Sequence, residues 1–166
     1  MEELGLTRLY FIPVAQSPFK PESKPTSPAL RLRLLRLALA GLTRCQIDTQ
    51  EILRGGTSYT IDTVRDYAQR FPRAQLCYLI GADHVGQLLS WRAADELARL
   101  AEFIVVPRPG QAVVEAPKPF RVQTLRGVPL GISSSQVRAR IRAGLPVEGL
   151  VPPAVAEALQ KEGWYR

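Results

Sequence analysis

The stretch AQLCYLIGADHVGQLLSWRAADELARLAEFIVVPRPG (residues 74–110) indicates how this chain folds. Its first part, AQLCYLIGAD, and its last part, AEFIVVPRPG, each contain a short apolar run that ends at glycine or proline, which is typical of buried strands. Between them, WRAADELARL has the composition and length of a helix. A strand, a helix and a second strand in this order predict a βαβ unit with parallel strands.

The same alternation continues outward from this stretch. RLYFIPVA (8–15) and CQIDT (45–49) are predicted strands. The first predicted helix is capped by Ser27, has Pro28 in its first position and ends near Leu39. Further predicted helices are SYTIDTVRDYAQRF, a basic segment after three serines, and a final helix from Pro152 or Pro153 to Lys161. We therefore predict one α/β domain over residues 1–166, with a parallel sheet covered by helices on both faces. In such sheets ligands bind outside the carboxyl ends of the strands.

Composition narrows the class of protein. The chain has 166 residues, 46% hydrophobic and 22% charged, as in globular proteins. Its 22 Lys and Arg against 15 Asp and Glu give a net charge of +7, which suits small polyanions and equally a weak affinity for nucleic acid. Cys45 and Cys77 are interpreted as buried small residues in a reducing compartment. With no membrane-length apolar run and no signal pattern, we expect a cytoplasmic protein without a membrane partner.

The stretch GISSSQVRARIRAG (131–144) is a candidate anion site. Ser133, Ser134 and Ser135 lie at a predicted helix start, where unpaired amides and the positive end of the helix dipole meet. Arg138 follows one turn later, and its guanidinium matches phosphate oxygens in pairs. The alternative is a serine-capped helix with solvated arginines. Taken alone, this stretch favours the alternative.

Three other features could carry chemistry. In EILRGGTSYTIDTV, two glycines precede a cluster of hydroxyl-bearing residues at another helix start (Thr57, Ser58, Tyr59 and Thr60). Asp83 follows a predicted strand, where an acidic side chain can hold ribose hydroxyls. Trp91 is either a core residue or a stacking platform. His84 is the only histidine, and an isolated histidine is more often structural. The sequence contains no P-loop, dinucleotide-binding glycine motif, metal-ligand cluster or GxSxG motif.

Taken together, these pieces resemble a known family. In order and spacing, five segments of this chain resemble bacterial nicotinate-nucleotide adenylyltransferases: EILRGGTSYTIDTV, LIGADHVGQLLSW, VVPRPG, GISSSQVRARIRAG and GLVPPAVAEAL. The resemblance extends from RLYFIPV to the terminal YR. The resemblance implies a Rossmann-like nucleotidyltransferase fold. It also implies adenylyl transfer from ATP to nicotinate mononucleotide in NAD biosynthesis, with Mg²⁺ and with release of pyrophosphate.

The resemblance also implies roles for individual residues. The predicted ATP-phosphate ligands are Ser133, Ser134, Arg138 and Lys20. The nicotinate mononucleotide pocket would be lined by Thr57, Ser58, Tyr59 and Thr60, with Asp83 on a ribose, Trp91 stacked on the nicotinate ring and Arg108 at the mouth of the site. Phosphoryl-type transfer asks the protein mainly for positioning and charge neutralisation, which suits these residue types.

The sequence departs from the family in two places. The family's first strand and glycine-rich turn, GGxFxPxHxGH, whose histidines contact ATP phosphates, has no counterpart here, so no catalytic residue is assigned. We expect the first strand and first βα turn to be missing, with a mis-assigned start codon as the simplest account, then a partial gene or trimmed chain, then a divergent binder. Pyrophosphate release by this chain should then be near background. Phe19 stands where the family usually has histidine, whereas Lys20 matches its lysine.

Three alternatives remain at this point. A pantetheine-phosphate type of nucleotidyltransferase is disfavoured by GGTSYTIDTV and Trp91, which suit a pyridine ring. A non-catalytic nucleotide-binding protein would have kept the pocket and lost the histidines. A basic RNA-binding domain is disfavoured because basic and aromatic residues are not clustered, and we expect no nucleic-acid partner. A homo-oligomer is compatible with the sequence, which does not reveal the oligomeric state.

Overall fold

The computed structural model describes residues 1–19, 22, 26–107, 109–110, 115–127 and 131–165. They form two compact units. Unit 1 comprises the described residues of Met1–Gln16, Lys20–Gly56 and Ile132–Arg166, and unit 2 comprises those of Ser17–Phe19 and Thr57–Gly131. The sequence predicts that the whole chain folds as one domain, and this stays a prediction. None of the described helices combines the length and apolar character needed to span a bilayer.

The described elements alternate between strand and helix over most of the chain. In order they are β1 (Leu9–Phe11), α1 (Pro28–Leu39), β2 (Cys45–Ile47), α2 (Gln50–Arg54), α3 (Thr60–Arg70), β3 (Cys77–Gly81), a 3₁₀ segment (Ala82–Ser90), α4 (Ala94–Leu100), β4 (Glu102–Val106), β5 (Val122–Thr124), α5 (Ser134–Arg142) and α6 (Pro153–Lys161).

Unit 1 contains a parallel pair of strands and four helices. β1 pairs with β2 in parallel, with Leu9 opposite Cys45. α1 begins as its sequence predicts, because the Ser27 hydroxyl accepts from the Leu30 amide at 3.3 Å and Pro28 takes the first helical position. The core of this unit is formed by α5, α6 and the loop before α6, and half-buried residues of α1 pack against it.

Unit 2 contains a three-stranded parallel sheet in the order β3-β4-β5. The central strand β4 carries three consecutive buried residues, Phe103, Ile104 and Val105, so the sheet is covered on both faces here. α3 buries Ile61, Val64 and Tyr67 on one side, which is the face that the sequence spacing predicts. The predicted α/β fold with parallel strands is confirmed.

The structure differs from the sequence-based expectations in detail. The helix predicted from residue 91 begins at Ala94, because Ala93 adopts a left-handed conformation (φ 53°, ψ 47°). The 3₁₀ segment and the short elements α2 and β5 were not predicted. Cys45 and Cys77 are half-buried rather than buried. Burial raises the pKa of the Cys77 thiol, which therefore stays protonated at neutral pH.

Candidate functional site

The start of α3 presents a graded set of hydroxyl groups. Thr57 is exposed, Ser58 is buried, and Tyr59 and Thr60 are half-buried. Tyr59 is the N-cap residue, but no side chain caps this helix. The Thr60 hydroxyl lies 3.3 Å from the Tyr78 hydroxyl of β3, which links the helix start to the sheet. The hydroxyl groups at this end of α3 therefore lie beside helix amides that no side chain caps.

Trp91 is the centre of an aromatic cluster, which we define as Phe19, Tyr78, His84, Trp91 and Phe103. Its ring centroid lies 5.7 Å from that of Phe19, 6.1 Å from Tyr78, 6.0 Å from His84 and 6.0 Å from Phe103. The contacts with Tyr78, His84 and Phe103 are edge-to-face, an arrangement that favours aromatic pairs. Because Phe103 is fully buried and Trp91 only half-buried, the indole is supported by the core and remains partly open to solvent.

Asp83 and His84 open the 3₁₀ segment directly after β3. This is the carboxyl end of a parallel strand, where ligands of α/β sheets bind. The side chains are 46% and 36% exposed, and His84 Nε2 lies 3.9 Å from Asp83 Oδ2. That distance allows attraction but no hydrogen bond. Asp83 therefore keeps acceptor oxygens available, as its predicted ribose contact requires.

Two residues of this region, Tyr78 and Arg92, were not predicted from the sequence. Tyr78 joins Thr60 to Trp91, and Arg92 places its guanidinium carbon 4.6 Å from the centroid of the Tyr59 ring. Tyr78 could have been found by strand alternation, since it shares a face of β3 with buried Ile80. Arg92 carries no comparable signal, because a basic residue before a helix is usually solvated.

The ATP-phosphate residues predicted from the sequence lie at the start of α5, in unit 1. Ser133 is the N-cap of a reciprocal capping box: its hydroxyl accepts from the Gln136 amide at 3.2 Å, and its own amide donates to Gln136 Oε1 at 2.9 Å. Ser134 is exposed, and a Nη of half-buried Arg138 donates to the Ser135 hydroxyl at 3.3 Å. The S-x-x-Q spacing in the sequence could have indicated the capping box.

The structure brings together only part of the predicted site. In unit 2, Thr60 and Trp91 share Tyr78 as a contact, and Asp83 adjoins His84 of the aromatic cluster. In unit 1, Ser133, Ser134 and Arg138 share the first turns of α5. Lys20 and Arg108 lie outside the described residues, so their predicted roles gain no structural description.

Comparison with known sequences identifies relatives along almost the whole chain. The cytidylyltransferase-like family model matches residues 1–140. A protein of Opitutus terrae named "Probable nicotinate-nucleotide adenylyltransferase" is 38% identical over 168 residues, covering 99% of this chain and 86% of the relative. A protein of the same name from Saccharopolyspora erythraea is 39% identical over 166 residues, covering 99% of this chain and 78% of the relative.

Solved structures agree on the fold. Nicotinic acid mononucleotide adenylyltransferase of Plasmodium falciparum complexed with NaAD aligns with a TM-score of 0.73 at 13% identity, covering 96% of this chain and 83% of the other. The same protein complexed with APC gives a TM-score of 0.73 at 14% identity, with the same coverage. The parallel sheets and the alternation of strand and helix thus match a nucleotidyltransferase fold. Given this fold and the identity to the curated relatives, the chain belongs to the nicotinate-nucleotide adenylyltransferase family, within the cytidylyltransferase-like group.

Proposed function

We propose that this protein transfers the adenylyl group of ATP to nicotinate mononucleotide, forming nicotinate adenine dinucleotide and pyrophosphate in NAD biosynthesis. The family relationship supports this reaction, and the same reaction gives the aromatic cluster a use. The observation that carries the proposal within the structure is the half-buried Trp91, which makes edge-to-face contacts with Phe103 and Tyr78. A partly open indole on a rigid base is suited to stacking a flat ring such as the pyridine of nicotinate.

The residues around Trp91 suit the remainder of a mononucleotide. Asp83 would accept hydrogen bonds from ribose hydroxyls, since its carboxylate has no short hydrogen bond to His84. The hydroxyls of Thr57 and Thr60, with buried Ser58 between them, would line the pocket at the start of α3. The first amides of this helix are positioned to donate to an anion. Each of these roles is a proposal from family resemblance and local geometry.

The start of α5 would hold the phosphates of ATP. Because the capping box uses the amides of Ser133 and Gln136, the amides of Ser134 and Ser135 are the first-turn donors without an intrahelical partner. Arg138 lies one turn along the helix and can bring a forked cation to the same anion. Lys20 and Arg108 are proposed as further cationic ligands on sequence grounds alone.

In the proposed reaction, a phosphate oxygen of nicotinate mononucleotide attacks the α-phosphorus of ATP. A new P–O bond forms, the bond between the α-phosphorus and its bridging oxygen breaks, and pyrophosphate leaves with that oxygen. The chain's own residues position the two nucleotides and offset the negative charge. Mg²⁺ bound to ATP would supply further charge neutralisation. Among the described residues no group of three or more His, Cys, Asp and Glu could hold a metal, so the ion is proposed to enter with the nucleotide.

Tryptophan fluorescence tests the binding part of the proposal. The chain has two tryptophans, Trp91 in unit 2 and Trp164 in unit 1. Titration with nicotinate mononucleotide should change the fluorescence of the wild type and of Trp164→Phe, because the ligand stacks on Trp91. Trp91→Phe should lose the change. A ligand response that persists in Trp91→Phe and disappears in Trp164→Phe would contradict the proposed pocket.

A second candidate function is nucleotide binding without catalysis. It is favoured by the single histidine of this chain, His84, which lies in the aromatic cluster. Pyrophosphate release from ATP, Mg²⁺ and nicotinate mononucleotide separates the two candidates, and the sequence prediction for this chain is a rate near background. Binding without release would favour the second candidate. Robust turnover would establish the enzyme and would show that the family's histidine motif is not required here.

A further inference from the structure

His84 is the one polar ring in the aromatic cluster that carries the proposed nicotinate platform. Its centroid lies 6.0 Å from Trp91 at an interplanar angle of 73°, and 5.6 Å from Phe19. If a pyridine ring stacks on the indole as proposed, its substituent lies at the ring edge and the imidazole that contacts Trp91 is a candidate neighbour for it.

The imidazole has an unused nitrogen. Nδ1 of His84 is buried, and in the described part of the chain it has no hydrogen-bond partner. Nε1 of Trp91 is also buried and without a partner among the same residues. Buried polar atoms are normally satisfied, and two orphaned nitrogens in adjacent rings mark a place where a polar group is expected. A purely structural aromatic cluster has no need of either nitrogen.

We propose that His84 is a specificity-determining residue that reads the substituent on the pyridine ring, favouring the carboxylate of nicotinate mononucleotide over the carboxamide of nicotinamide mononucleotide. This inference rests on the proposed function. An imidazole N–H donates to either group, but the hydrogen bond to a carboxylate is charge-assisted because its acceptor is ionised. The neutral carboxamide offers no such charge.

The other side chains near the imidazole are consistent with this role. Asp83 lies 3.9 Å from Nε2 and attracts that nitrogen without forming a hydrogen bond, so the imidazole can still donate to a ligand. Arg92 is the rival cation, but its guanidinium is placed over the Tyr59 ring. Phe19 contacts both His84 and Trp91 and is 48% exposed, so a rotamer change can open the cluster without disturbing the core.

The test measures the dissociation constants of nicotinate and nicotinamide mononucleotide by calorimetry and compares their ratio between variants. His84→Phe keeps an aromatic ring and removes both nitrogens. We expect the preference for nicotinate mononucleotide to fall about tenfold, the factor by which a charge-assisted hydrogen bond exceeds a neutral one. Binding of nicotinamide mononucleotide should weaken less, because it loses only a neutral hydrogen bond. His84→Leu, which has no hydrogen-bond donor in its side chain, should lose the same preference and serves if His84→Phe does not fold.

The outcomes separate this inference from the proposed function. If the wild type binds neither mononucleotide, the proposed function fails. If both bind and the two His84 variants weaken them equally, the ratio is unchanged and His84 is structural, which overturns the inference. Arg99→Ala, which removes an exposed arginine in the last turn of α4, is the matched control and should leave the ratio unchanged. A ratio that falls in Arg92→Ala but not in the His84 variants would assign the discrimination to Arg92 and overturn the inference as well.

Discussion

Two hydroxyl-rich helix starts, those of α3 and α5, look alike in sequence and are built differently. At α3, Ser58 is buried, Thr60 bonds to Tyr78 and no side chain caps the helix. At α5, Ser133 is exposed and closes a full capping box, and Ser134 beside it is also exposed. A partly buried set of hydroxyls next to aromatic rings suits a ligand with a flat ring, whereas an exposed helix end with an arginine suits a polyphosphate. A run of Ser and Thr before a helix therefore does not by itself define the ligand.

The largest expected effect is on ATP. Arg138→Ala should weaken ATP binding by roughly 10- to 100-fold, because it removes hydrogen bonds between a cation and an anion. The affinity for nicotinate mononucleotide should not change, since the predicted ligands of that nucleotide lie at α3 and around Trp91. Calorimetric titration with each nucleotide measures both. Arg142→Ala, an exposed arginine in the last turn of α5, is the control. If both variants lose the same affinity for ATP, Arg138 is a solvated helix residue and not an ATP ligand.

A smaller effect separates two neighbouring serines. Ser133→Ala should lower the free energy of unfolding by about 1 kcal/mol, because it removes the side chain that caps α5. Ser134→Ala should change stability by less than about 0.5 kcal/mol, since Ser134 is exposed and makes no capping bond, yet it should weaken ATP binding. Denaturant unfolding and ATP titration of both variants check this. If Ser134→Ala costs as much stability as Ser133→Ala, the division between cap and ligand is wrong.

The smallest effect concerns the ion pair that joins α3 to α4. Arg65 makes a bidentate contact with Glu96, at 2.8 Å from Nε and 2.6 Å from Nη2. The hydrogen bond from Arg65 lowers the pKa of Glu96. The stabilisation is therefore complete above the ordinary glutamate pKa of about 4.3 and is lost as the pH falls through the lowered value. Urea unfolding should show Glu96→Gln to be less stable than the wild type at pH 7, with the difference disappearing in acid.

Glu157→Gln is the control for this experiment. Glu157 pairs with Lys161 at 2.6 Å, one turn away on α6, and both side chains are more than half exposed. The hydrogen bond from Lys161 lowers the pKa of Glu157 in the same direction. Because the pair lies within one helix and is well solvated, its removal should have less effect than that of the pair between two helices. If both variants lose the same pH-dependent stability, the contact between α3 and α4 contributes no more than a solvated pair within one helix.

Local signals made much of the fold predictable. Ser27 and Pro28 mark the start of α1 because a cap and a first-turn proline act within four residues. The continuous apolar run of β4 predicts a strand buried on both faces, because successive side chains of a strand point to opposite faces of the sheet. The 3₁₀ segment escaped prediction because its nine residues have the composition of an α-helix or a loop. The three residues of β5 are too few for a periodic pattern.

The candidate site was predictable in its parts and not in its contacts. Ser133 and Thr60 lie at helix starts and Asp83 follows a strand, as predicted, and positions of these kinds commonly bind ligands in α/β proteins. The contact of Phe19 with His84 and Trp91 joins residues more than 60 positions apart, so no local pattern reveals it. From the sequence, His84 is an isolated histidine. In the structure it belongs to the aromatic cluster, because tertiary packing sets its surroundings.

The left-handed conformation of Ala93 has a consequence for the stability of this protein. An alanine in that conformation costs about 1–2 kcal/mol, a strain that glycine would relieve. Ala93 lies two residues after Trp91 and begins the turn into α4, so its backbone sets the direction in which the chain leaves the indole. Glycine at this position would relieve the backbone strain but would also make the backbone more flexible. Ala93→Gly would thus exchange relief of local strain for a less fixed backbone beside the indole.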